Sequence, residues 1–434
     1  MSITIHELWT LTPDQRRALM TRTEADLTPL MPRVAEIVER VRTGGDAAVA
    51  ALAREIDKAD VGADAIAASE AEFARAEREV ADEVKAAIEV AVRNIRSFHE
   101  RTRPEPLLWH EVFPGAFAGE RTTPIPSVAC YVPRGKGSFP SVMLMTTIPA
   151  VVAGVPQIAV LTPPAPDGRI DAASLVAAAR VGVRRVYKAG GAVAVAAAAY
   201  GTATIPRCAK IVGPGSPWLV AAKRLLADRI DPGLPAGPSE SIVFAEPGSN
   251  PKKVALDLLN EAEHGPDSSA FLVTWSRPLA QAVQAEIPGL WARMGEQRVA
   301  FSKAVLTGPR GGIALCRDAE EAVAFTNDYA PEHLMVHAPE PQDWLHRLEH
   351  AGEILLGEHT PMVLANYALG PNAVLPTGGH ARTCSPLGVL DFMKRTGLGW
   401  CTKAAHATLA PHVRVLARYE GFDAHANALE LRGD

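Results

Sequence analysis

The sequence predicts an α/β protein made of two doubly wound lobes of parallel sheet, with small N- and C-terminal extensions. Three observations carry that expectation. The chain has 434 residues, too long for one ordinary domain. From about residue 125, short β-rich runs alternate with Ala-rich helical stretches, the pattern of βαβ units. Several of those runs end in loops containing Gly or Pro, such as 189–191 and 213–216.

The elements follow in order. Residues 1–26 read as a short, weakly structured arm. Residues 27–102 read as helical: Val34, Ile37, Val38 and Val41 keep a helical register, and Gly44-Gly45 is expected to stop that helix. Between Ala71 and His99, Val80, Val84, Ile88, Val92 and Ile95 recur at helical spacing, so one face should be buried. Strands are expected at 127–133, 157–164, 184–191 and 209–215, then at 241–248, 270–276, 303–308, 333–338 and 352–357. The domain organisation expected from this texture is an arm at 1–26 and a first lobe at 27–130 plus 238–387. A second lobe follows at 131–237, with a tail at 388–434.

Composition narrows the function classes. A net charge of −5, with no long single-sign run, argues against a nucleic-acid partner. No apolar run approaches the roughly 20 residues needed to span a bilayer. The five cysteines form no C-x-x-C pair, and the opening MSITIHELWTLTPDQ lacks the pattern of a secretory signal. A cytoplasmic protein with neither membrane nor nucleic-acid partner is the expectation.

Four stretches carry candidate chemistry. In 249–267, Asn250 and Pro251 start a helix, and Gly265-Pro266 end it. Asp257, Glu261 and His264 then share one helical face. From spacing alone this is either a solvated face or part of a cation site. In 327–338, Glu332 and His333 lie where a turn meets an apolar run. A carboxylate and an imidazole there are natural general bases, or two polar residues of a surface turn. Residues 359–379 form a long Asn-, Gly- and Pro-bearing segment. Residues 419–429 place Glu420 and His425 near the chain end. The Gly-containing loops at 133–137, 189–191, 213–216 and 235–241 suit anion contacts at the carboxyl ends of strands. None matches a dinucleotide or Walker fingerprint.

Taken together, RTGGDAAV (42–49), SVACYVP (127–133), KIVGPG (210–215), PAGPSE (235–240), EAEHGPDS (261–268), YAPEHL (329–334), LGPNAVLPT (369–377) and EGFDAHANA (420–428) resemble histidinol dehydrogenase over essentially the whole chain. The resemblance implies two Rossmann-like lobes in an intertwined homodimer. It also implies two successive NAD-dependent oxidations of an amino alcohol and a bound Zn²⁺. Carried over by position, Glu332 and His333 are the catalytic pair. The metal set is Glu261, His264, Asn366 and a partner's His425. Glu261 stands where the family has Gln, and Asn366 where it has Asp, so the carboxylate and amide change places. The substrate set comprises Ser239, Glu261, His264, His333, Met362, Asn366, Ala373, Glu420 and His425. Met362 and Ala373 replace a carboxylate and a His of the family pocket. On the cofactor side Tyr131 is retained, while Val193 and Ser216 stand for a Gln and an Asn. The resulting expectation is an NAD- and zinc-dependent dehydrogenase that oxidises a small polar primary alcohol through an aldehyde to a carboxylate, with a substrate other than histidinol. Authentic histidinol dehydrogenase, and a non-catalytic binding protein on the same scaffold, are the alternatives.

Overall fold

A computed structural model describes residues 3–22, 26–134 and 137–432. In chain order its strands are β1 (Ile5–Glu7), β2 (Leu107–Phe113), β3 (Ala116–Pro124), β4 (Ser127–Tyr131), β5 (Gln157–Thr162), β6 (Val186–Lys188) and β7 (Lys210–Val212). They continue with β8 (Glu240–Ala245), β9 (Ser269–Thr274), β10 (Gly311–Leu315), β11 (His333–His337), β12 (Glu353–Leu356) and β13 (Met393–Cys401). The chain divides into two compact units, residues 1–102 with 126–392, and residues 103–125 with 393–434.

The first unit holds two parallel sheets, so the mixed α/β expectation stands. One is six-stranded, in the order β1-β10-β9-β8-β11-β12. Its four inner strands, β8 to β11, are buried on both faces, which is why they read as largely continuous apolar runs. Val243, Ala245, Leu272, Ile313 and Met335 pack on one face, with Leu258 and Val283 of the helices Pro251–Ala262 and Arg277–Trp291. Ile242, Phe244, Phe271, Val273 and Leu334 pack on the other, with Phe325 and Tyr329 of the helix Ala319–Tyr329. The alternation along β8 is the two-residue period of a strand. The second sheet is four-stranded, in the order β6-β5-β4-β7. The helices Met31–Leu52 and Gly191–Tyr200 cover one face through Val34, Ile37, Val41 and the run Ala192–Ala199. The helix Pro140–Ala153 covers the other, where the Cys130 thiol donates to the Thr146 carbonyl at 3.4 Å.

Several expectations are corrected. The arm at 1–26 contains β1 and the helix Pro13–Met20, started by a capping box between Thr12 and Gln15. Residues 31–52 pack on the four-stranded sheet, not with the larger one, because their apolar stripe meets Ala129, Ala159 and Leu161. Strand β4 also belongs to that sheet. Gly44-Gly45 breaks the helical stretch Met31–Leu52 as expected, because Gly45 takes φ 52° and ψ −137°, and helix resumes beyond it. The stretch 71–99 is two helices, Glu70–Glu79 and Asp82–Thr102, parted by an extended Val80. Residues 303–308 end the helix Glu296–Leu306, and the strand in that region is β10. β10 is glycine-led because a Cβ on Gly312 would lie 2.4 Å from the Thr4 carbonyl of the β1 segment. The second unit is a three-stranded antiparallel sheet, β13-β3-β2, with the helices Lys403–Tyr419 and Asp423–Glu430. The tail therefore shares a sheet with residues 107–124, which the sequence texture assigns to the first lobe.

Candidate active site

The chemistry-bearing residues of the first unit gather at the amino ends of the six-stranded sheet. That is opposite to the usual position for ligands in such folds, the carboxyl ends of the strands. The reason is local. Glu240 opens β8, Glu332 and His333 open β11, and Glu353 opens β12. The helix Pro251–Ala262 runs back from the far end of β8, so its last turn delivers Glu261 and His264 to the same end. Asn250 caps its start, accepting from the amides of Lys252 and Lys253 at 3.0 and 3.3 Å.

Two groups meet there. In the first, the His333 imidazole Nδ1 pairs with Glu353 Oε1 at 2.5 Å, and its Nε2 lies 3.8 Å from Glu332 Oε1. Glu332 Oε2 accepts the Glu240 backbone N–H at 2.9 Å. Glu240 is tied down in turn by Arg22 at 3.2 Å and by the Gly378 N–H at 2.9 Å. Arg22 also stacks 3.5 Å over the Tyr329 ring. In the second group, Asn366 and Asn260 each donate to Glu261 Oε1 at 3.2 Å. His264 Nδ1 lies 3.2 Å from Glu261 Oε2 and 3.1 Å from the Asn260 carbonyl.

Burial sets the electrostatics. Glu332 is held well above the usual carboxylate range, chiefly by desolvation, and the neighbouring Glu261 adds to the rise. Desolvation would lower the His333 imidazole, but Glu261, Glu332 and Glu353 outweigh it and raise the group to about 10. Desolvation would raise Glu261, but His264, His333, Asn366 and Ser239 hold it below its ordinary value. The site is a carboxylate-rich enclosure around one imidazole, and it favours positive charge.

Glu261, His264 and Asn366 carry the donor chemistry of a divalent-cation site. Glu261 is buried, and Asn366 Oδ1 is buried without any partner. An anionic oxygen, a neutral oxygen and an imidazole suit Zn²⁺ with one position open. The three fit the ion. They do not form a complete cage, and no group of three or more His, Cys, Asp or Glu poised for a metal occurs among the described residues.

The remaining candidates fall differently. Asp257 does not join Glu261 and His264; its carboxylate bonds His337 Nε2 at 2.8 Å, and both are buried. Met362 is buried in the core with Val243 and Met335, at the start of the short helix Met362–Tyr367 that also carries Asn366. Ala373 is half-buried. Glu420 and His425 are exposed residues of the second unit. Tyr131, at the carboxyl end of β4, is buried, and its hydroxyl accepts the Gly191 N–H at 3.1 Å. Ser216 is exposed at the start of the helix Pro217–Leu225. Val193 is buried in the Ala-rich core of the helix Gly191–Tyr200. Of the loop 133–137, residues 135 and 136 lie outside the described residues.

Sequence reasoning missed Glu353, Glu240, Arg22 and Asp57. Asp57 lies beside Gly190, and burial, partly offset by Arg134, raises it to about 6. The available signal for Glu353 and Glu240 was a carboxylate opening an otherwise apolar strand. A cavity of about 580 Å³, lined by His99, Lys210, Asn372 and Leu387 among others, also reaches Glu353.

Comparison with known proteins agrees with the geometry. The sequence profile of the family described as histidinol dehydrogenase matches residues 20–433. The histidinol dehydrogenase homolog 2 of Mesorhizobium japonicum is 56% identical over 431 residues, covering 99% of this chain and 98% of that protein. The histidinol dehydrogenase of Synechocystis is 47% identical, with 97% of each chain covered. The crystal structure of histidinol dehydrogenase from Elizabethkingia anophelis superposes with a TM-score of 0.92 at 31% identity, covering 99% of this chain and 98% of that one.

Proposed function

The chain belongs to the histidinol dehydrogenase family, and from that premise we propose that it is an NAD- and zinc-dependent dehydrogenase. Its substrate would be a small polar primary alcohol other than histidinol, oxidised through an aldehyde to a carboxylate. The observation that carries this reading is the buried Glu332–His333 pair beside the Glu261–His264–Asn366 group.

Two proton demands match two buried groups. Oxidising the alcohol requires a base on the hydroxyl while the carbon loses a hydride, and His333 Nε2 faces the enclosure for that role. Oxidising the aldehyde requires addition of water before a second hydride leaves, and Glu332 is the carboxylate placed to take the water's proton. Each oxidation removes one hydride and one proton, so the pair must also return protons to solvent between steps. Zn²⁺, held by Glu261, His264, Asn366 and the partner subunit's His425, would supply a Lewis acid for a substrate heteroatom. NAD would supply the hydride acceptor. At the start of the helix Gly191–Tyr200 the Tyr131 hydroxyl holds the Gly191 N–H, and a Cβ on Gly191 would meet nothing within 4 Å, so there is open space beside them.

The substrate reading rests on Ala373, which offers no hydrogen bond where the resemblance expects an imidazole. Losing one such contact costs about 1–3 kcal/mol. No helix among the described residues is long and apolar enough to cross a membrane. The test is an alcohol screen with NAD and added Zn²⁺, following NADH absorbance, with L-histidinol included. Turnover of a different alcohol, with histidinol poor, is expected. Histidinol oxidation at a kcat/KM of about 10⁴ M⁻¹s⁻¹ or more would instead identify an authentic histidinol dehydrogenase.

A further inference from the structure

We infer that Glu353 is a positioning residue for His333: it fixes the imidazole with Nδ1 as donor and Nε2 turned to the reacting side. The inference rests on the dehydrogenase reading above and deepens it. Its basis is geometric. β11 and β12 are parallel neighbours in which His333 is the register partner of Glu353. The pair is therefore set by strand pairing, not by a mobile loop. The two strand starts are stitched together as well, by Gly352 N–H to the Pro331 carbonyl at 2.9 Å and Glu353 N–H to the Glu332 carbonyl at 3.0 Å. A Cβ on Gly352 would lie 2.5 Å from the Glu332 carbonyl, so the approach leaves no room for adjustment.

The chemistry follows from the partner types. An ionised carboxylate only accepts hydrogen bonds, so Nδ1 must carry a proton wherever Glu353 faces it. In the neutral ring this leaves the lone pair on Nε2, the nitrogen beside Glu332. When Nε2 takes a proton from the substrate hydroxyl, the same carboxylate neutralises the imidazolium. Both side chains are almost fully buried, at 3% and 8% exposure, so the charge-assisted bond is little screened by water. The placement is also costly without such a role. Glu353 is the one charged residue of a strand otherwise made of Ile354, Leu355 and Leu356, and its Oε2 is buried without a partner.

The experiment compares the full-length zinc-loaded protein with Glu353→Gln, Glu353→Asp and His333→Asn. Proton NMR of protein carrying ¹⁵N-labelled His should show a far-downfield imidazole N–H that is absent in His333→Asn. Glu353→Gln should move it upfield, and Glu353→Asp should partly restore it. With the alcohol found in the screen, Glu353→Gln should lower kcat by about 100-fold or more, the direction known for triad carboxylates, with KM changed less than about threefold. Glu353→Asp should recover part of that loss. An imidazole resonance unmoved by Glu353→Gln overturns the inference, as does a loss seen in KM alone. The spectrum reports the ring without turnover. A wild-type protein that oxidises no alcohol but shows the shift therefore overturns the dehydrogenase reading alone.

Discussion

Asn366 donates to Glu261 across 3.2 Å, joining the short helix Met362–Tyr367 to the end of Pro251–Ala262. The pair is one carboxylate and one amide whichever residue carries which. Glu261→Gln alone leaves two neutral oxygens, and Zn²⁺ affinity should fall at least about 10–100-fold. Adding Asn366→Asp should restore most of it. Zinc content after dialysis against graded chelator measures both. Equal affinity in the wild type and both variants would remove these residues from the metal set.

Glu332 and His333 should fail differently. Losing a general base costs about 10²–10⁴ in the step it serves. His333→Asn should slow alcohol oxidation most, and Glu332→Gln should slow aldehyde oxidation most. Single-turnover runs started from alcohol and from aldehyde separate the two. Equal slowing of both steps by each variant would count against a division of labour.

The Asp257–His337 pair should matter for folding and not for chemistry. Asp257→Ala leaves a buried imidazole without its acceptor, at a cost of about 1.5–3 kcal/mol for a bond to a charged group. A lower urea midpoint is expected, with bound zinc retained. Loss of zinc without loss of stability would return Asp257 to the site.

His99 gives the stability a pH dependence. Its ring is buried with Nδ1 unpartnered, and desolvation lowers it to about 4. Between that value and an unfolded value of about 6.5, the unfolded chain binds the proton and the folded one does not. Its contribution is complete above about 6.5 and is lost as pH falls towards 4, with a slope of at most about 1.4 kcal/mol per pH unit. As pH goes from 7 to 4, the urea midpoint of the wild type should fall relative to that of His99→Leu. Parallel curves would show that another group governs the slope.

If sites are shared between subunits, mixing His333→Asn with His425→Ala should create mixed dimers with one intact site each. Random exchange of subunits would restore activity to about a quarter of the wild-type level. No recovery after verified exchange would place His425 in its own subunit's site, and an active His425→Ala parent would place it outside.

The sequence carried most of the larger sheet and little of the smaller unit. Strands such as β8, β9 and β11 are short apolar runs bounded by turn residues, and both period and punctuation mark them. β10 escaped because it opens with two glycines beside a helix end that looked more strand-like than it did. The packing partner of residues 31–52 was not legible, since an amphipathic stripe names a buried face but not what buries it. In the site, Glu332, His333, Glu261 and Asn366 were legible through resemblance. Glu353 was not, because its meaning comes from strand register.

β1 closes one edge of the six-stranded sheet by pairing Ile5 with Ile313. During synthesis its partner emerges about 300 residues later, a wait of roughly 15–60 s at 5–20 residues per second. Among the described strands β1 is translated earliest and is therefore among the last to pair. For that interval the growing chain carries a segment whose partner strand has yet to be translated.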